Sequence, residues 1–212
     1  MRLALHVGAA AAAGYLLGTL PSARITARRL TGGAVDLRAE GSGNPGAVNA
    51  TRTLGRRAGA AVAAADVGKG IAACAAGRSL SGDHGAHVAG VAAVVGHCYP
   101  VWSALRGGKG VATSFGQCLY TFPAYAPLDA AIAVALARAP RSSRPSLVSV
   151  AGASTAWVAA GVVWWQRRLP NLWGPRPTAA LPLANAATVA VLASRAIVGS
   201  RRGERDELAR EA

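Results

Sequence analysis

The chain has 212 residues and is 52% hydrophobic but only 5% aromatic, with Ala and Gly carrying much of the apolar content. A mean hydropathy of +0.29 and several apolar runs near the roughly 20 residues that cross a bilayer point away from an Ala-rich soluble bundle and predict an all-α, polytopic membrane helix bundle. The net charge of +14 is almost all Arg, the only lysines being Lys69 and Lys109. Because most Arg lie in loops between apolar runs, the charge suits lipid headgroups or phosphorylated substrates better than nucleic acid.

In chain order, the first span is read over residues 3–23, interrupted by Gly14, Gly18 and Pro21. A cleaved signal peptide is set aside because the apolar run has no clear cut site. Residues 24–57 read as a loop with seven Arg (24, 28, 29, 38, 52, 56, 57) against Asp36 and Glu40. The positive-inside rule makes that loop cytoplasmic and the N-terminus external. The second span, 58–76, holds Asp66 and Lys69 at i, i+3 spacing, which is either a structural pair or part of a site. The third span is read over 86–105. Residues 111–137 read as two short helices broken near Phe122 and Pro123, leaving and returning on the cytoplasmic side. Two further spans, 147–165 and 179–198, are joined by a segment whose Trp164, Trp165 and Trp173 fit an interfacial belt. The expected architecture is five full spans plus a broken pair of short helices, about seven helices. Residues 1–200 form the membrane domain and 201–212 a cytoplasmic tail of mixed charge.

The stretch GSGNPGAVNATR, residues 41–52, combines three glycines with Ser42, Asn44, Asn49 and Arg52. Its polarity and backbone freedom suit a small polar ligand, above all a phosphate. It matches G-x-G-x-x-G literally, but no buried strand precedes it, so a dinucleotide fold is rejected. A second turn, Gly107-Gly108-Lys109-Gly110, fails as a P-loop: Ser103 stands where the first Gly belongs and Gly110 where the Mg²⁺-binding hydroxyl belongs. What survives is two glycine-rich turns on one side of a membrane, each with a cation for a phosphate. His97 lies near them and reads equally as a packing residue. Cys74, Cys98 and Cys118 read as buried small hydrophobes; neither disulfide nor metal-ligand spacing is present, and no cofactor is implied.

These motifs together, with Asp66-Val67-Gly68-Lys69-Gly70, Gly96-His97-Cys98-Tyr99-Pro100 and Val111-Ala112-Thr113, closely resemble the bacterial membrane acyl-phosphate:glycerol-3-phosphate acyltransferases. The resemblance covers order and spacing from about Tyr15 to Ser114. It implies transfer of a fatty acyl group from acyl phosphate to the sn-1 hydroxyl of glycerol 3-phosphate, giving lysophosphatidic acid within phospholipid synthesis. Membrane lipids are the implied surroundings. The roles it implies are catalytic for Ser42, Arg52 and Lys109. Substrate and phosphate binding falls to Gly43, Asn44, Gly46, Asn49, Gly107, Gly108 and Gly110, with Ser146 and Arg201 from the C-terminal half. The family's third motif, with His, Asn and then Arg after the last span, is degenerate here: no His follows His97 and no Asn follows Asn185. That departure leaves open a non-catalytic relative that binds anionic phospholipid or a partner enzyme.

Overall fold

The structure, a computed structural model, describes residues 2–138 and 145–211, with side chains over 3–138 and 148–198. Its elements are α1 (Arg2–Gly18), α2 (Ser22–Thr31), α3 (Ala47–Leu54), α4 (Arg56–Cys98), a 3-10 turn (Val101–Ser103), α5 (Val111–Thr121), α6 (Ala126–Ala137), α7 (Pro145–Arg167) and α8 (Ala180–Glu211). No strand occurs among the described residues.

Four stretches are long and apolar enough to cross a membrane: Leu3–Thr31, Arg56–Ser103, Val148–Arg167 and Ala180–Val198. The second folds back at Ser81 and Gly82, where Gly82 takes φ 62, so α4 is two arms, 56–80 and 83–98. That gives the five expected full spans. The arms close on each other because Gly77 and Gly85 carry no side chain: a Cβ on either would strike the other's carbonyl. The same device seats α1 on the 83–98 arm. Gly14 faces the Ala89 carbonyl, Gly18 the Ala93 carbonyl, and Gly96 the Tyr15 carbonyl. With no hydrophobic force between helices in lipid, such backbone approach is what holds them.

The broken pair is present. α5 and α6 have 11 and 12 residues, about 17 Å each at 1.5 Å per residue, and neither can cross alone. Around Gly110, before α5, lie Val94, Cys98 and Leu192. α5 ends at Thr121, whose carbonyl accepts from Asn171 Nδ2 at 2.9 Å. α6 returns, and its Ala133 carbonyl accepts from Ser149 Oγ near the start of α7 at 2.6 Å. Phe122 and Tyr125 at the break stack at 5.1 Å, with Trp164 edge-on to Phe122 at 5.2 Å. On the far face, the loop after α7 is tied to the α4 bend: Arg78 pairs with Asp83 at 3.0 Å and donates to the Trp173 carbonyl.

Residues 24–57 correct the expectation of one long loop, since they hold α2 and α3. α2 turns Ala23 and Ala27 inward and leaves its Arg exposed, and Gly32 ends it at φ 63. Both helices close over a small core of Leu37, Ala50 and Val62. The GSGNPGAVNATR stretch is thus a loop only to Gly46; from Ala47 it is helix.

Candidate active site

Asn49 organises the first glycine loop. It is buried, donates through Nδ2 to the Leu37 and Glu40 carbonyls, both at 2.9 Å, and accepts through Oδ1 from the Ser42 amide at 3.0 Å. Every polar group of its amide faces the loop backbone. Gly41 at φ 60 and Gly43 at φ 64 take the left-handed turns this wrapping requires. The loop then opens into the N-terminus of α3, whose first amides lack helical partners.

The second turn is built differently. Gly107 N donates to the Cys98 carbonyl and Gly108 N to the His97 carbonyl, each at 3.1 Å. From α8, Arg195 donates to the Gly107 carbonyl at 2.6 Å and to the Gly108 carbonyl at 3.1 Å, with its guanidinium 5.9 Å above the Tyr99 ring. The amides of Gly107 and Gly108 are therefore engaged inside the protein. Ala104 and Leu105, at φ 48 and φ 59, are left-handed non-glycine residues, so the turn is held against local preference. After Gly110 at φ 84 the chain enters the N-terminus of α5, the second helix start with unpartnered amides.

The two segments border one pocket of mixed polar and apolar lining. Arg38 and Pro45 line it from the first side, and Ser103, Gly107 and Gly108 from the second. Arg38 bridges them, donating to Ser103 Oγ at 2.8 Å. Deeper in the wall stand Asp66, Lys69 and His97. Lys69 Nζ is 2.9 Å from Asp66 Oδ1 and donates to the Leu20 carbonyl at 3.0 Å. His97 Nδ1 is 3.6 Å from Asp66 Oδ1.

Ser42, Arg52 and Lys109 are exposed, and none of them lines the pocket. Asn44 and Gly46 are half-buried, and Gly43 is exposed. Ser146 and Arg201 lie outside the residues whose side chains are described. Two features escaped the sequence reading: the bridge from Arg38 and the meeting of His97 with Asp66. His97 lies 31 positions from Asp66, so no local pattern could announce their contact.

Fold and site together define a multi-pass integral membrane protein with a pocket between its two glycine-led segments. The chain belongs to the glycerol-3-phosphate acyltransferase family, whose model it matches over residues 8–202. A glycerol-3-phosphate acyltransferase of Gloeobacter violaceus is 50% identical over 113 residues, 51% of this chain and 54% of that one. Its counterpart in Myxococcus xanthus is 46% identical over 145 residues, 68% and 73% of the two chains. In Rhizobium meliloti the figures are 45% over 149 residues, 70% and 72%. The first of these matches spans about half the relative's length. Crystal structures of PlsY, described as an integral membrane glycerol 3-phosphate acyltransferase, superpose with a TM-score of 0.71 at 25% identity, covering 94% of this chain and 92% of that one. They are a glycerol 3-phosphate form and a lysophosphatidic acid form.

Proposed function

We propose that the protein transfers a fatty acyl group from acyl phosphate to the sn-1 hydroxyl of glycerol 3-phosphate, giving lysophosphatidic acid. The observation that carries this reading is that two glycine-led segments, each leading into a helix start and each carrying an exposed cation, Arg52 or Lys109, border one pocket, through Pro45 on one side and Gly107 and Gly108 on the other. Helix starts and cations are the two ordinary means of holding phosphate, and this reaction has a phosphate on each substrate.

Acyl phosphate is already activated, so no covalent enzyme intermediate is needed. The hydroxyl oxygen attacks the acyl carbon, the bond from that carbon to the phosphate oxygen breaks, and the departing phosphate takes the hydroxyl proton. What remains for the protein is to position the hydroxyl and stabilise the leaving charge. Ser42, Asn44 and Arg52 serve on the first segment and Lys109 on the second. Gly43 and Gly46 let the first loop approach the ligand, and Gly110 leads into α5. Asn49, Gly107 and Gly108 serve by shaping the site. Ser146 and Arg201 keep the substrate-binding roles that the family resemblance implies for them. The Arg distribution supports an external N-terminus with both glycine segments and the tail in the cytoplasm.

The test is a transfer assay with purified protein, acyl phosphate and labelled glycerol 3-phosphate. Labelled lysophosphatidic acid is the expected product. A protein that inserts and folds yet yields none with any acyl phosphate, while accepting another acyl donor, would overturn the choice of donor. No product from any donor would overturn the catalytic reading.

A further inference from the structure

We infer that Asp66, Lys69 and His97 form a positioning cluster that fixes the Lys109-bearing turn against the α1–α2 junction, and so sets where phosphate meets Lys109. The inference rests on the acyltransferase reading and concerns residues to which that reading gives no role.

All three side chains are buried, at 3%, 6% and 8% exposure. Asp66 lies ten residues into α4, well past the helix end where charge is cheap. A pair in such a place is expensive, and well-packed apolar residues of similar size would serve stability as well or better. Ionisable groups at membrane depth therefore mark function by default.

The contacts say which function. The cluster ties three elements together beside the pocket, in addition to the glycine contacts that pack them along their length. Through Lys69 Nζ it reaches the Leu20 carbonyl, where the chain leaves α1 for α2. Through Asp66 it holds the 56–80 arm. Through His97 it reaches the last turn of the 83–98 arm, and there it meets the glycine turn twice. The His97 carbonyl accepts the Gly108 amide. The His97 ring lies under Gly108, so that a Cβ at position 108 would strike Nε2. Asp66 Oδ1 stands 3.6 Å from Nδ1 of the ring on which the turn rests, and Arg195 clamps the same turn from α8. Lys109 is the next residue along. A ring left free to rotate would loosen the seat beneath it and weaken the grip of Lys109 on phosphate.

The experiment compares purified parent, His97→Ala, and the double variant Asp66→Asn/Lys69→Met, which removes both charges while keeping shape. Four quantities are read: Tm in detergent, kcat, KM for glycerol 3-phosphate, and the inhibition constant of inorganic phosphate. Positioning predicts folded variants in which KM and the phosphate inhibition constant rise together by about tenfold or more, with a smaller change in kcat. A merely structural pair predicts that the double variant, once folded, has the parent's constants. That result in either folded variant overturns the inference. If neither variant can be obtained folded, the cluster holds the bundle rather than the turn, and the inference also falls. A parent without transfer activity is a different failure, that of the catalytic reading itself.

Discussion

Asn49 shows how a single amide defines a loop. Replacing it with Ala leaves the buried Leu37 carbonyl without this partner, a loss of about 1–3 kcal/mol, and releases the Glu40 carbonyl and Ser42 amide at the exposed side of the loop. That penalty falls on residues 37–46 rather than on the bundle. Asn49→Ala should cut transfer and expose the loop to protease, while the Tm in detergent changes little. Asn49→Asp should be worse, because a carboxylate keeps the acceptor for Ser42 but faces two carbonyls with no donor. Parental activity and protease resistance in Asn49→Ala would remove this account of the loop. Lys109 is the opposite kind of residue, an exposed one. Lys109→Ala should leave folding intact and reduce transfer at least about a hundredfold, as loss of a phosphate-neutralising charge costs several kcal/mol. A folded Lys109→Ala that turns over at the parental rate would make the turn structural. The two candidate segments were legible in the sequence because glycine, asparagine and arginine crowd into short windows. Their division of labour was not. That Asn49 and the Gly107 and Gly108 amides face inward depends on carbonyls of Leu37, His97 and Cys98, which no spacing rule pairs with them.

At the scale of elements, the bundle is set by glycines that let backbones touch. Gly14 of α1 faces the Ala89 carbonyl, whereas Gly8 of the same helix has nothing within 4 Å of an added Cβ. Gly14→Leu should therefore drive α1 off the 83–98 arm, at a cost above about 3 kcal/mol, with loss of monodisperse protein in size-exclusion chromatography. Gly8→Ala should be neutral or slightly stabilising, since Ala is the better helix former by up to about 1 kcal/mol. Equal behaviour of the two variants would mean that α1 is held by lipid and not by contact. The same view explains what the sequence hid. The α5–α6 break was legible from Phe122 and Pro123, because proline lacks an amide and stops the helix before it. The helices α2 and α3 were not, because the hydrophobic faces they bury are only alanines and the run of Arg and Gly around them reads as loop. Eight helical residues ending at Gly55 carry too little apolar content to announce themselves.

For the whole molecule, the C-terminal helix decides how the site closes. Within α8, Thr188 donates to Gln117 of α5 and Arg195 clamps the glycine turn, so the helix is docked on the site without the family's His and Asn. If the termini are placed as the Arg distribution proposes, cysteine labelling should find the Gly41 loop, the Gly107 turn and the tail accessible from one side of the membrane, and the N-terminus from the other. A tail and a Gly41 loop on opposite sides would contradict the returning α5–α6 pair. The chemistry then follows from what arginine can do. Guanidinium donates hydrogen bonds and neutralises charge, but it accepts no proton and no hydrogen bond. Both carbonyls of the glycine turn already occupy Arg195. A site closed by arginine should therefore keep its grip on glycerol 3-phosphate and lose part of what stabilises the transition state. Interactions made only in the transition state lower kcat without a matching rise in KM. The expected result is measurable binding of glycerol 3-phosphate with transfer slower than in a relative carrying the full third motif. Restoring His and Asn at the structurally equivalent positions of the tail should raise kcat more than it changes KM. If the natural chain already turns over as fast as that relative, and the double substitution adds nothing, the missing His and Asn are dispensable and α8 contributes only its arginine clamp.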